Sequence, residues 1–158
     1  MVAPRPKYII DTCSFTALRR VYPSDVFPSV WSKMDDLANV GIIGSLDLVL
    51  NELKAQDDEV LDWAKSHLPI FVDLDNEIQL KATEILQQFA TNFVDLKKRT
   101  SGADPFVVAA AVVHSCVVVT EEKRSGGTPR VKIPDVCRVL GVDCIHLLEL
   151  LRREQFSL

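Results

Sequence analysis

Apolar positions along the chain alternate between short β-prone runs and helical stripes. Tyr8 to Ile10 is such a run, ending at Asp11, and a helical pattern follows from about Cys13 to Val21. Pro23 and Pro28 punctuate the next loop. Val30, Met34, Leu37 and Ala38 then share one stripe of a helix over Val30 to Val40, which Gly41 stops. Ile42 to Leu46 reads as a second strand, and Asp47 to Ala55 and Asp58 to His67 as helices, the latter closed by Pro69. Ile70 to Val72 is a candidate third strand. Asn76 to Phe89 is an amphipathic helix with Ile78, Ala82, Ile85, Leu86 and Phe89 facing inward.

The second half repeats the alternation. Asp104-Pro105 opens a helix to about His114, and Cys116 to Thr120 is a solid apolar strand of the kind buried on both faces of a parallel sheet. Lys123 to Lys132 is basic and glycine-bearing, hence a loop. Pro134 starts a helix that ends at Gly141, Val142 to Leu147 is a last strand, and Leu148 to Gln155 a last helix. Such alternation predicts an α/β protein, with four to five mainly parallel strands and helices on both faces. No repeat, low-complexity tract or linker divides the chain, so one domain over residues 1–158 is expected, with residues 1–6 as a flexible tail.

Composition narrows the classes. At 158 residues the chain is long enough to bury roughly 70% of its unfolded surface without disulfide or zinc staples. Its 47% hydrophobic and 25% charged residues exclude bulk disorder. Eighteen basic residues against twenty-two acidic ones leave a formal charge of −4, which excludes a DNA-coating protein that works by bulk positive charge but permits a local basic patch. The longest apolar stretch, Phe106 to Val119, is broken by His114 and Ser115 and falls short of the roughly 20 residues a bilayer crossing needs. Met1 to Lys7 holds two prolines and no apolar core, unlike a secretory signal, so a cytoplasmic protein with no membrane partner is expected. Cysteines 13, 116, 137 and 144 form no CxxC pair and read as reduced thiols, not a zinc site.

In open parallel sheets ligands bind at the carboxyl ends of the strands. Asp11 follows the first strand directly, Glu121 and Glu122 follow the fourth, Asp104 opens the helix leading into that strand, and Glu52 lies in the helix after the second strand. These acids come from distant parts of the chain. If they converge they repel one another, and a cation would neutralise them. Oxygen ligands without His or Cys select Mg²⁺ or Mn²⁺. One or two such ions suit a phosphodiester displacement by water, with no nucleophilic side chain.

Four stretches carry a family resemblance. Tyr8-Ile9-Ile10-Asp11-Thr12-Cys13-Ser14 resembles the opening strand of PIN-domain nucleases, and Val49-Leu50-Asn51-Glu52-Leu53 their second acidic position. Asp104-Pro105-Phe106-Val107-Val108-Ala109-Ala110-Ala111 resembles their third, and Val117-Val118-Val119-Thr120-Glu121-Glu122 their Thr-x-acid strand end. The resemblance spans nearly the whole chain in the right order. It implies a three-layer α/β/α sandwich with a central twisted sheet, and a Mg²⁺- or Mn²⁺-dependent endoribonuclease. Many small members are toxins of toxin–antitoxin pairs, so a protein antitoxin and a homodimer are implied partners.

Carried over, Asp11, Glu52, Asp104 and Glu122 would be metal ligands and catalytic residues. The family commonly has Asp at the fourth position, and this chain has Glu preceded by another Glu; the spacing from Thr120 favours Glu122 over Glu121. Asp135 is a candidate outer acid, and Thr12, Ser14 and Thr120 candidate supports. Lys123, Arg124, Arg130 and Lys132 would clamp RNA phosphates, with Lys97, Lys98 and Arg99 extending the strip.

Each residue also has a plainer reading. Asp104 before Pro105 is the pattern of a helix N-cap followed by an N1 proline. Glu52 would be an exposed helix acid paired with Lys54 or Lys81, Glu121 and Glu122 a solvated turn, and the basic segment a solvated loop. Asp11 resists such a reading, because an acid ending an apolar strand costs desolvation energy unless it is paired. Cys13 lies near Asp11, but no histidine is placed to activate it as a nucleophile. His67, His114 and His146 are scattered, and Trp31 and Trp63 read as packing residues. Two other classes remain: a non-catalytic PIN-like regulatory or RNA-binding module, and a phosphoacceptor domain, which would want an acidic neighbour beside Asp11. A flap-type DNA nuclease would need helical modules for which the chain has no room.

Overall fold

The computed structural model describes residues 5–56, 58–89, 103–124 and 131–158. Among them, β1 (Tyr8–Ile10), β2 (Ile43–Leu46), β3 (Phe71–Val72), β4 (Val117–Val119) and β5 (Cys144–Ile145) form one sheet in the order β3-β2-β1-β4-β5. Every pairing is parallel. Tyr8 lies beside both Ile43 and Val117, Ile10 beside Val119, and Val118 beside Cys144. The α/β sandwich with a parallel sheet expected from the alternation is therefore present.

The helices are α1 (Thr12–Val21), α2 (Pro28–Asn39), α3 (Asp47–Lys54), α4 (Glu59–Lys65), α5 (Asn76–Phe89), α6 (Asp104–His114), α7 (Ile133–Leu140) and α8 (Leu147–Arg153). One set, α1, α3 and α4, packs together, and α8 joins α1; the other, α5, α6 and α7, packs together and lays α6 along β1 and β4. That position explains why α6 is apolar on nearly every side, with Val107 to Ala111 all buried. β1 is central and covered on both faces, so Tyr8, Ile9 and Ile10 are all buried rather than alternating.

Local chemistry ends the elements. Asp58 caps α4 by accepting the Val60 and Leu61 N–H groups, and Gly141 stops α7 at φ 70°. Pro69, expected to close a helix, sits in a short 3₁₀ turn over Leu68–Ile70 that leads into β3. The last strand is shorter than the run Val142 to Leu147 predicts. The Leu147 N–H is taken by Glu121 Oε1 at 2.8 Å, so Leu147 starts α8 instead of extending β5. Of the expected tail, residues 1–4 lie outside the described residues. Pro6 packs so closely on Gly44 that a Cβ there would stand 3.0 Å from its ring, and its carbonyl accepts the Cys116 thiol. No helix among the described residues is long and apolar enough to cross a membrane.

Phe15 of α1 anchors the core on the α1 side. It is fully buried, with its ring centroid 5.8 Å from those of Trp63 and Phe71. Trp63 and Trp31 are packing residues, their indole N–H groups donating to Asp35 Oδ1 and the Tyr22 carbonyl, each at 2.7 Å. Phe15→Ala is expected to cost about 3–5 kcal/mol of stability, read as a lowered midpoint in urea denaturation.

Candidate active site

The sheet order decides where a ligand could bind. From β1 the chain builds β2 and β3 outward on one side, then returns to place β4 and β5 on the other. The connections after β1 and β4 therefore diverge, leaving a crevice at their carboxyl ends. Asp11 is the first residue past β1, and Thr120, Glu121 and Glu122 are the first past β4. A cleft of about 900 Å³ opens there, lined by Asp11, Glu52, Asp104, Glu121 and Glu122. The fold thus brings all four expected acids, and the alternative Glu121, to one place.

Asp11 forms the floor and is only 4% exposed. Its Oδ2 accepts the Thr120 hydroxyl at 3.0 Å and the Cys13 thiol at 3.1 Å, both neutral donors. Burial pushes its carboxyl above the ordinary range; the Cys13 hydrogen bond opposes that shift, and the charge of Glu122 adds to it. Glu52 reaches in from α3. Burial raises its carboxyl too, the Thr12 hydroxyl bond opposes this, and the charge of Asp11 adds to the rise. The Ala103 amide also bonds Glu52, so the partners suggested by sequence, Lys54 or Lys81, give way to α1 and the start of α6. Lys81 pairs with Glu84 at 2.6 Å.

Asp104 occupies the first helical position of α6, half-buried. Ala103, already in helical geometry at φ −80°, ψ −24°, takes the N-cap place. The expected Asp N-cap with proline at N1 is therefore displaced by one residue. Glu121 and Glu122 diverge. Glu121 Oε1 accepts the Leu147 N–H at 2.8 Å and the Ser14 hydroxyl at 3.3 Å, while Glu122 Oε2 accepts the Ile133 N–H at 3.0 Å. The charge of Glu122 acts on Asp11. Its own N–H bonds Thr120 Oγ1 at 3.2 Å, so Thr120 bridges the first and fourth acids.

Cys13 is a structural hub. Its sulfur accepts the Glu121 N–H at 3.2 Å and lies 3.1 Å from Thr120 Oγ1. Burial and the neighbouring Asp11 push its thiol up, which keeps it protonated and unsuited to nucleophilic attack. Asp135 is not among the residues lining the cleft; its Oδ2 accepts the Lys132 N–H at 2.9 Å at the start of α7. Of the basic strip, Lys123 lines the cleft and Arg124 an adjacent cavity of about 250 Å³. Lys132 lines neither, and Arg130, Lys97, Lys98 and Arg99 lie outside the described residues.

Sequence reading missed Arg20, which lines the cleft together with Thr16 and Gln56. The signal was there: Thr12, Thr16 and Arg20 recur every four residues on α1, one stripe beginning next to Asp11. Among the described residues, five carboxylates thus share the lining with two cations, Arg20 and Lys123. Among the described residues no three acidic, histidine or cysteine side chains close into a ready-made metal cage.

A family model described as "Domain of unknown function (DUF4411)" matches residues 8–158. The chain belongs to the DUF4411 family. Comparison of this DUF4411 chain with curated proteins finds no match. Among solved structures it is similar to a chain in the crystal structure of VapBC2 from Rickettsia felis bound to a DNA fragment from their promoter. The TM-score is 0.50 at 14% sequence identity, covering 88% of this chain and 97% of that one. At this identity the likeness is one of fold, and it agrees with the parallel α/β architecture of the DUF4411 chain.

The raised carboxyls have a thermodynamic consequence. The folded chain holds protons on Asp11 and Glu52 more tightly than the unfolded chain does. Stability is therefore expected to fall as pH rises from the ordinary carboxylate range through these raised values. Asp11→Asn removes the more deeply buried of the two carboxyls. In EDTA it should melt above the parent at neutral pH and flatten the decline of Tm with pH, as followed by circular dichroism.

Proposed function

We propose that this DUF4411 chain is a PIN-like, divalent-metal-dependent endoribonuclease, acting as the toxin of a toxin–antitoxin pair. The observation that carries the reading is Asp11, a carboxylate buried at the central strand end and facing one cleft with Glu52, Asp104 and Glu122. The donor set fits Mg²⁺ or Mn²⁺. It is all oxygen, and such ions are typically held by one or two carboxylates, with water and substrate phosphate completing the shell, so no closed protein cage is required. Asp11, Glu52, Asp104 and Glu122 would hold the ion. When bound, it would lower the pKa of the attacking water and stabilise the leaving oxygen.

The chain's own residues supply the rest. Thr120 and Cys13 fix the Asp11 carboxylate through Oδ2, and Thr12 and Ala103 fix Glu52, so the acids are oriented before substrate arrives. Arg20 and Lys123 flank the acids, where phosphates on either side of the scissile bond would meet them. On this reading the chain works in the cytoplasm, can pair as a homodimer, and meets a protein antitoxin that covers or reaches into the acidic rim.

One observation favours a second reading, a non-catalytic PIN-like module. Glu121 and Glu122 each already accept a helix-terminal amide, which gives them a structural task without any metal.

The deciding experiment incubates defined RNAs with the parent and with Asp11→Asn and Asp104→Asn, in Mg²⁺, Mn²⁺ or EDTA. Cleavage should need the ion and fall by more than about 100-fold in either variant, beyond what a merely orienting residue contributes. Activity at the parent rate in the variants, or in EDTA, would sink the assignment. In a separate measurement, Mn²⁺ should raise the Tm of the parent by mass action and leave that of Asp11→Asn nearly unchanged. A scaffold without a metal site would respond in neither protein.

A further inference from the structure

Two stripes of side chains run side by side from the acids into the rest of the cleft. One is Thr12, Thr16 and Arg20 on α1; the other is Glu52 and, just past the end of α3, Gln56. The Thr12 hydroxyl donates to Glu52 Oε2, and one turn on Thr16 Oγ1 lies 3.5 Å from the Gln56 carboxamide. At the next turn the pairing stops. Val60, which continues the spacing of Glu52 and Gln56, is buried in α4. Among the described residues no carboxylate pairs with Arg20, whereas its neighbour Arg19 is held by Asp58 at 3.0 Å. Arg20 is exposed and lines the cleft.

Charge is therefore sorted along these stripes. Asp11 and Glu52 stand at one end, and beyond them come Thr16, Ala17, Ala55 and Gln56, all uncharged, before Arg20. A rise of 1.5 Å per residue sets Arg20 about 12 Å along α1 from Thr12. The small side chains between leave room for a planar ring, and Ala17 and Ala55 offer it apolar contact. The Gln56 carboxamide carries two donor hydrogens and an acceptor oxygen, and a 3.5 Å contact is too long to occupy them. The Thr16 hydroxyl is committed to the Thr12 carbonyl at 3.2 Å.

We propose that Arg20, Gln56 and the small side chains between them form a nucleotide subsite: Arg20 holds the phosphate next to the scissile one, and Gln56 hydrogen-bonds the edge of the base between the two. This rests on the nuclease reading of the same cleft. A guanidinium matches phosphate oxygens bidentately, and a carboxamide offers a base edge a donor and an acceptor together. Arg20 thus supplies sequence-independent affinity, and Gln56 makes the site selective for a base.

The test measures binding of 5′-labelled ribotetramers of A, C, G or U by fluorescence anisotropy, with Ca²⁺ as the hard cation and salt varied. The parent should bind its best tetramer about tenfold more tightly than its worst. Arg20→Ala should weaken all four by a similar factor and lower the slope of log affinity against log salt by about 0.7, and Arg20→Lys should keep that slope. Gln56→Ala should keep the slope and bring the four affinities together. Both side chains are exposed, so neither change disturbs the core. The proposal is overturned if the parent binds no tetramer or binds all four equally, if Arg20→Ala keeps the parent slope, or if Gln56→Ala keeps the parent preference. Binding needs no cleavage, so the two readings fail separately. A parent that cuts RNA while both alanine variants bind as it does loses only the subsite; a parent that cuts nothing while both changes appear keeps the subsite and loses the nuclease.

Discussion

The structure depends on a carboxylate placed where a carboxylate is expensive to keep. Asp11 ends the central strand, is almost wholly buried, and is met by the neutral donors of Thr120 and Cys13 while other acids face it. A buried charge without a cationic partner is tolerated only where surrounding groups are fixed well enough to hydrogen-bond it. Here three segments supply that fixing: the strand end carrying Asp11, the first turn of α1 carrying Cys13, and the end of β4 carrying Thr120. The parallel pairing of Ile10 with Val119 sets Asp11 and Thr120 side by side.

The same contacts assemble the site and dock the helices. Glu52 joins α3 to Thr12 of α1 and to Ala103 at the start of α6. Glu121 receives the first amide of α8, and Glu122 the first amide of α7. Hydrogen bonds with an ionised partner are stronger than neutral ones, and amides at helix starts lack partners inside the helix. Acids gathered around the cleft therefore stabilise helix termini that converge on it. Structural and functional readings of these residues are two descriptions of one arrangement, which is why the plainer reading of each acid is reasonable in isolation.

Much of this was legible along the chain. The solid apolar run Cys116 to Thr120 announced a strand covered on both faces, Tyr8 to Ile10 announced a short strand, and the acids that follow marked the carboxyl rim. Spacing from Thr120 pointed to Glu122; in the structure both glutamates line the cleft and differ in the amide each accepts, Leu147 for Glu121 and Ile133 for Glu122. Other features were obscured by competing local signals. The Val142 to Leu147 run looks like a long strand until Glu121, a residue far away in sequence, takes the Leu147 amide. Arg20 sits at a helix end among ordinary solvated cations, and only its stripe with Thr12 and Thr16 distinguishes it.

Local pattern determined most element types, the burial of β4, and the reserve of oxygen ligands, because side-chain hydrophobicity and turn chemistry act over a few residues. Tertiary structure decided which acids share a cleft and which helix-start amide each of Glu121 and Glu122 accepts. Those outcomes depend on strand order and helix docking, which bring residues as distant as Asp11 and Glu122 into electrostatic reach, and no short window of sequence contains that information.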